Sequence, residues 1–328
     1  MTQRNDLGAI MIGKRRLLMS MAGLLVAGQA HAQKYPSDLI KLVVPRAPGG
    51  GSDNLARLLA PGLQDKLGVS IIVENRPDAT AVLGASIVAK TKPDGYTLYL
   101  ADNSFYQNPA ILDSLPYDTV KDFSAVTMMA QAPVVLLVHP GIPAKTLAEL
   151  IDLAKKTNLT FASGGVGAST HLVGVMLNLK AGTNIVHVPF KSSGPALMAL
   201  LGGHVSMQFG GLSSAGQYIK DGKLRAIAVT GDHRNPFLPD VPTFQESGIT
   251  GADVTSLWGL HAPPGTPIEV RRTMRDALGA VMREPTLAKK LAEYGYEPII
   301  NTPEEHQAQT NALVTQWIEV GKKVNLKE

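Results

Sequence analysis

The 328-residue sequence contains no cysteine. Disulfide staples and thiolate metal sites are thereby excluded, so a chain of this length has to be held by its own core. The same absence removes the acylated cysteine by which many exported bacterial proteins are tethered to a membrane. Aromatic residues make up only 5% and charged residues 18%, with a formal net charge of +4. The few aromatics do not interleave with lysine and arginine, which leaves nucleic-acid binding without support. The eight histidines include no pair three to five residues apart, so the spacing of metal ligands is missing. The apolar stretch from Leu17 to Val26 falls short of the roughly 20 residues that a membrane-spanning helix needs.

That stretch is flanked in a telling way. Lys14-Arg15-Arg16 precedes it and Ala30-His31-Ala32 comes after it, a basic region and a small-x-small cleavage pattern. Residues 1–32 therefore read as a signal peptide, with the mature chain beginning at Gln33 and exported to the periplasm. The residues after the paired arginines fit the twin-arginine signal poorly, so the Sec route is expected. The remainder exceeds the size at which single cores divide, on the order of 250–300 residues, and two lobes are expected.

Beyond the leader, short β-rich runs alternate with amphipathic helical ones. Leu39–Val44, Ser70–Glu74, Thr97–Leu100 and Val134–Val138 read as strands; Asn54–Leu67, Leu83–Lys90 and Leu147–Lys156 read as helices. This alternation predicts an α/β fold with largely parallel sheets. Thr146 with Glu149, and Thr302 with Glu305, have the spacing of a capping box; Thr266-Pro267-Ile268-Glu269 repeats the device. Leu313, Val314, Trp317, Ile318 and Val324 mark one face of a docked terminal helix.

One internal echo points to a site. Lys41–Leu59 and Leu159–Leu177 each run strand, glycine-rich turn, helix, and place a Ser, Asp or Thr at the helix start. First-turn N–H groups lack intrahelical partners and carry the positive end of the helix dipole, so each unit is an anion site without a charged side chain. Tight strand-to-helix turns supply the same pattern in any α/β protein, and only the pairing of the two favours binding.

Enzyme motifs are approached and missed. Gly165-Val166-Gly167-Ala168-Ser169-Thr170 has threonine where the third glycine of a dinucleotide fingerprint belongs, and it lacks the Gly-Lys-Ser/Thr of a P-loop. Gly211-Leu212-Ser213-Ser214-Ala215 departs from a nucleophile elbow at its last residue. No catalytic residue, metal or cofactor is expected. His171 reads as a neutral hydrogen-bonding or helix-start residue, and Asp53 as a cap or a brace for the loop amides.

Several segments, in order, resemble a known family. Ile40-Lys41-Leu42-Val43-Val44-Pro45 runs into Pro48-Gly49-Gly50-Gly51-Ser52-Asp53, followed by Val73-Glu74-Asn75-Arg76-Pro77 and Lys92-Pro93-Asp94-Gly95-Tyr96. The second half adds His187-Val188-Pro189-Phe190-Lys191 and Pro239-Asp240-Val241-Pro242-Thr243. Across the mature chain this resembles the Bug-type, TctC-like extracytoplasmic solute receptors of tripartite tricarboxylate transporters. The resemblance implies a type II periplasmic binding protein fold, two α/β lobes with a ligand cleft between them. Domain 1 would comprise residues 33–132 and 255–328, and domain 2 residues 133–254. It implies a monomer that binds a small carboxylate, a dicarboxylate or an aromatic acid, for membrane permease subunits. A periplasmic sensing subunit needs the same closure, and a periplasmic hydrolase or isomerase on two α/β lobes is the remaining alternative.

Carried over position by position, ligand contacts in the first lobe would come from Pro48, Gly49, Gly50, Asp53, Asn103 and Ser104. Those in the second would come from Ser163, Gly164, Gly167, Ser169, Thr170, His171 and Phe190. Gly210 and Gly211 stand where relatives commonly carry an aspartate, which disfavours an amino-acid ligand and makes room for a bulkier one. Phe105, Tyr106 and Trp258 are candidates for an apolar wall, with core packing as the plainer role for each. Arg46 is not required by this scheme. Gly50→Pro or Gly167→Pro should abolish ligand binding in a calorimetric titration, each removing a donor and distorting its turn, while Arg46→Ala should change affinity far less.

Overall fold

The alternation of strands and helices resolves into two sheets in a computed structural model, which describes residues 35–78, 80–252 and 254–323. The expected leader, its cleavage site and Val324 lie outside the described residues. The first sheet has the order β11-β4-β10-β3-β1-β2, from β1 (Ile40–Val44), β2 (Ile71–Asn75), β3 (Thr97–Ala101), β4 (Ser124–Ala132), β10 (Ser256–Ala262) and β11 (Glu297–Pro298). The second has the order β7-β6-β8-β5-β9, from β5 (Val135–Val138), β6 (Thr160–Ser163), β7 (Val186–Pro189), β8 (Met207–Gly210) and β9 (Arg225–Val229). The chain thus changes sheet after Ala132 and again before Ser256.

Within each sheet the strands that lead into the glycine turns run parallel. β1 pairs with β2 and β3 in parallel, as β6 does with β7 and β8. Helices α1 (Gly51–Leu67), α3 (Asn103–Ile111), α5 (Ser169–Ala181), α6 (Ser193–Leu201) and α7 (Leu212–Lys220) come directly after β1, β3, β6, β7 and β8. Ligand crevices of open α/β sheets lie outside the carboxyl ends of such strands. The other helices are α2 (Val82–Val88), α4 (Leu147–Ala154), α8 (Ile268–Met282), α9 (Pro285–Glu293) and α10 (Pro303–Lys323).

Packing obeys the apolar pattern. Phe161, Phe209 and Phe244 anchor the core of the second lobe, and Val135–Val138 is buried at every position, as a strand covered on both faces requires. The first lobe is centred on Tyr99, Phe105, Tyr106, Tyr117 and Phe123. Phe105 and Tyr106 are therefore core residues, and the plainer of their two expected roles is the one the fold gives them. α10 packs on α3 and β4, returning the C-terminal region to the first sheet.

Two of the three expected caps form. Thr146 and Glu149 exchange both bonds of a capping box. Thr302 Oγ1 accepts from the Glu305 N–H at 3.1 Å, and Glu305 Oε2 accepts from the Thr302 N–H at 2.8 Å. Thr266 differs: its hydroxyl donates to the Pro263 carbonyl (2.8 Å), and α8 begins after Pro267 without a side-chain cap. The competing turn at Pro263 captures the threonine.

One buried polar feature has a measurable consequence. His261 on β10 and His306 on α10 are both buried with their Nε2 atoms 3.2 Å apart, and the Tyr106 hydroxyl lies 3.3 Å from His261 Nε2. Burial holds His306 down at about 3; burial, and then His306, hold His261 well below its ordinary range. Both rings are thus neutral when folded and take up protons on unfolding. Between the ordinary histidine value near 6.5 and about 3 the unfolded chain binds more protons at His306, so stability falls with falling pH, by up to ~1.4 kcal/mol per unit from this ring, and His261 acts in the same direction. Urea unfolding at pH 7 and pH 4.5 should show a smaller acid loss for His306→Gln than for the wild type; equal losses would refute the assignment.

Candidate functional site

A cavity of about 60 Å³ lies between the two sheets, at the carboxyl ends of β1, β3, β6, β7 and β8. The residues preceding the five helices, Gly50, Asp102, Ala168, Ser192 and Gly211, all line it. Four of those helices, α1, α5, α6 and α7, begin without a side-chain capping bond. Only at α3 is there a cap, where Asp102 accepts from the Ser104 N–H. Unpaired first-turn N–H groups from both lobes therefore converge on one space.

The side chains of the lining add little net charge. Arg46 and Asp102 are both there, 2.5 Å apart between Nε and Oδ2. Burial opposes the charge on Arg46, and Asp102 more than offsets this, leaving the guanidinium above its ordinary pKa. The rest of the polar lining is mostly hydroxyl, with the Asn103 amide and the Trp258 indole N–H beside it. Ser52 accepts from Trp258 Nε1 (3.0 Å), Thr170 accepts from the Gly164 N–H (2.9 Å), and Ser169 and Ser256 bond to each other (2.7 Å). Trp258 and Tyr296 meet edge to face at 5.1 Å, and with Leu212 they form an apolar wall. The Tyr296 hydroxyl donates to the Gly51 carbonyl (2.7 Å), which fixes this wall to the start of α1.

Of the residues expected at the site, Gly50, Asn103, Gly164, Ser169, Thr170 and Gly211 line the cavity. Asn103 nevertheless commits its amide to the crossing strand, donating to the Thr255 carbonyl (2.9 Å) and accepting from the Leu257 N–H (2.8 Å). The others stand behind the lining. Asp53 accepts from the Gly49 N–H, Arg57 and Asn75, bracing the first glycine turn. Ser163 bonds the Gly165 N–H and His187, and His171 stacks on His187 at 4.2 Å while accepting from the Gly167 N–H. Ser104 accepts from Arg46 and donates to the Val166 carbonyl. Phe190 packs in the second lobe's core, and Gly210 pairs within its sheet. Pro48 and Gly49 form the rim, where Gly49 accepts from the Ser214 hydroxyl (2.8 Å).

Sequence reasoning missed the start of α6, along with Ser52, Ser256 and the Tyr294–Tyr296 segment. The strand-to-helix junction after Pro189 carried a usable signal; Tyr296 carried none, because distant chain brings it there. Arg46, which the sequence leaves without a role, sits 3% exposed at the cleft and donates across it to the Gly164 carbonyl (2.9 Å). Its loss would take the cation from Asp102, a penalty on the order of 3–5 kcal/mol, and remove a bond between the lobes, so the expectation that Arg46→Ala changes affinity far less than the glycine changes does not hold. The two glycines also separate: Gly167 has φ +73°, which proline cannot adopt, whereas Gly50 has φ −87°, close to proline's own.

The lobes are closed on each other. Asn54 donates to the Ser213 carbonyl (3.0 Å) and the Ala47 N–H to the Lys191 carbonyl (3.2 Å). Closure depends on missing side chains. A Cβ at Gly194 would lie 3.0 Å from the Gly49 carbonyl carbon and the Pro48 oxygen, and one at Gly50 would lie 3.0 Å from Ser192 Cβ.

Comparison with known proteins agrees with this architecture. The family described as "Tripartite tricarboxylate transporter family receptor" matches residues 55–326. The periplasmic binding protein BugD superposes with a TM-score of 0.86 at 34% identity, covering 90% of this chain and 100% of that one. Rpa4515 of R. palustris, solved with adipate, gives 0.84 at 31%, covering 88% and 97%. MatC of Rhodopseudomonas palustris, solved with bound malate, gives 0.82 at 29%, covering 88% and 100%.

The Gly194 contact is with the Pro48–Gly49 backbone of the other lobe, so an added methyl group requires that turn or the lobes to move apart by a few tenths of an ångström. Gly194→Ala should leave both lobes folded, with an unchanged circular dichroism spectrum, yet weaken binding of a cleft ligand about tenfold or more. Wild-type affinity in this variant would show that closure does not depend on the Gly49–Gly194 approach.

Proposed function

Since the chain belongs to the tripartite tricarboxylate transporter receptor family, we propose that it is a periplasmic solute-binding protein. Its cleft captures a small carboxylate and presents it, lobes closed, to membrane permease subunits. The observation that carries this reading is the meeting of five helix starts, four of them uncapped, at one cavity whose only charged side chains neutralise each other. Each helix terminus favours an anion by roughly 0.3–1 kcal/mol at an exposed site and more when partly buried. A cation would find no free carboxylate in the lining, because both Asp102 oxygens are engaged.

The adipate and malate bound by two structural neighbours support the dicarboxylate alternative. The apolar wall of Trp258, Tyr296 and Leu212 would cover the carbon chain between the polar ends. A nucleophilic hydroxyl needs a base to take its proton. Here Ser52 and Thr170 accept from N–H groups, and Asp102 is occupied by Arg46 and Ser104. Binding without turnover is the chemistry that fits.

Malate, succinate and adipate should raise the melting temperature and shift the Trp258 fluorescence, with benzoate and lysine weaker. A ligand at a hundred times its Kd stabilises the fold by about 2.7 kcal/mol, readily seen as a melting shift. Absence of any response to the acids, or a new product after incubation with pure protein, would overturn the proposal.

A further inference from the structure

Ser192 occupies the N-cap position of α6, where serine ordinarily turns its hydroxyl onto an N–H of the first turn. Here it makes no capping bond. Its Oγ has no hydrogen-bond partner, although the residue is only 2% exposed. Part of the reason lies in the sequence: the third helical position is Pro195, which has no N–H to cap. That removes one of the two N–H groups a cap can reach, leaving Gly194, and it gives no reason for burying the hydroxyl without another partner, which folded proteins avoid.

The surroundings supply the reason. Ser192 lines the cavity, and its Oγ lies 3.3 Å from where a Cβ at Gly50 would stand. The hydroxyl is therefore placed between the start of α6 in one lobe and the start of α1 in the other. Both ends are rich in donors and carry positive partial charge. Pro195 also reduces the N–H groups that α6 presents to those of Ser193 and Gly194, so a hydroxyl donor restores the one that is lost.

We infer that Ser192 is a ligand-binding residue, whose hydroxyl donates to the ligand oxygen held between the starts of α1 and α6 when the lobes close. The inference rests on the carboxylate reading of the cleft. It makes Ser192 a determinant of specificity: the residue rewards an acid with a negative oxygen at this end of the cleft and leaves the unliganded fold unaided.

Ser192→Ala tests both halves. With no partner to lose, unliganded Ser192→Ala should melt at or above the wild-type temperature. Malate and adipate, titrated calorimetrically, should bind the variant about 10- to 100-fold more weakly, the loss of one hydrogen bond to a charged acceptor. A drop of more than about 2 °C in the unliganded variant would assign the hydroxyl a structural partner and overturn the inference, as would affinities within about twofold of wild type. If the wild type binds neither acid, the carboxylate reading falls by itself. The same pair of proteins titrated with the neutral probes adipamide and xylitol then decides the role of Ser192: weaker binding by the variant sustains it, and equal binding ends it. A wild type that binds none of the four overturns both.

Discussion

The cleft depends on backbone dipoles that find no satisfaction within their own helices. Each of α1, α5, α6 and α7 starts with a residue that offers its first turn no cap, and each start abuts the same cavity. Parallel strand-to-helix units are what make this possible, because they send successive helices off the same edge of a sheet. Two sheets facing one another double the effect. An anion placed there meets donors on both sides, and the donors are peptide groups whose positions are fixed by the sheets beneath them.

Such a site functions only if the lobes approach closely, and the approach is set by glycine. At Gly50 and Gly194 an added Cβ would meet Ser192 and the Pro48–Gly49 backbone, each across the cleft, at about 3 Å. The cross-lobe bonds of Asn54, Ser214, Ala47 and Arg46 form in this closed arrangement. Each contributes on the order of 1 kcal/mol net, against the entropy of holding two lobes in one relative position. On the proposed reading, an occupant that satisfies the helix starts adds to these bonds and favours the closed arrangement. Arg46 serves this balance rather than the ligand's charge: with Asp102 and Ser104 on its own lobe and the Gly164 carbonyl on the other, it ties the floor of the cleft together.

The legible part of the sequence was local. Alternating strands and helices, the caps at Thr146 and Thr302, and the two glycine turns each announce themselves within a few residues. The site was half legible for the same reason. The turns at Gly50 and Gly164 combine glycine with a Ser, Asp or Thr at the helix start, whereas the start at Ser192 looks like any short loop until β7 brings it beside the others. Asn103, Ser163 and His171 show the opposite failure. They lie in the right segments, but the Asn103 amide, Ser163 Oγ and His171 Nδ1 bond to Thr255, Gly165 and Gly167, and nothing local distinguishes a residue that shapes a turn from one that meets a ligand. Tyr296 reaches the wall only because the C-terminal region folds back onto the first sheet.

The hydroxyls complete the logic of the backbone. Ser52 and Thr170 each receive an N–H bond, so a lone pair is occupied and the hydroxyl hydrogen is left to point elsewhere. In the Ser169–Ser256 pair one hydroxyl donates to the other, and the acceptor keeps its own hydrogen free. Side chains that are formally both donors and acceptors are thus biased toward donation, in step with the helix starts around them. Peptide N–H groups and serine hydroxyls do not titrate in the physiological range. On the proposed reading, a site built from them holds an anion without any protonation step of its own, and separating the lobes releases it by withdrawing the donors of one side.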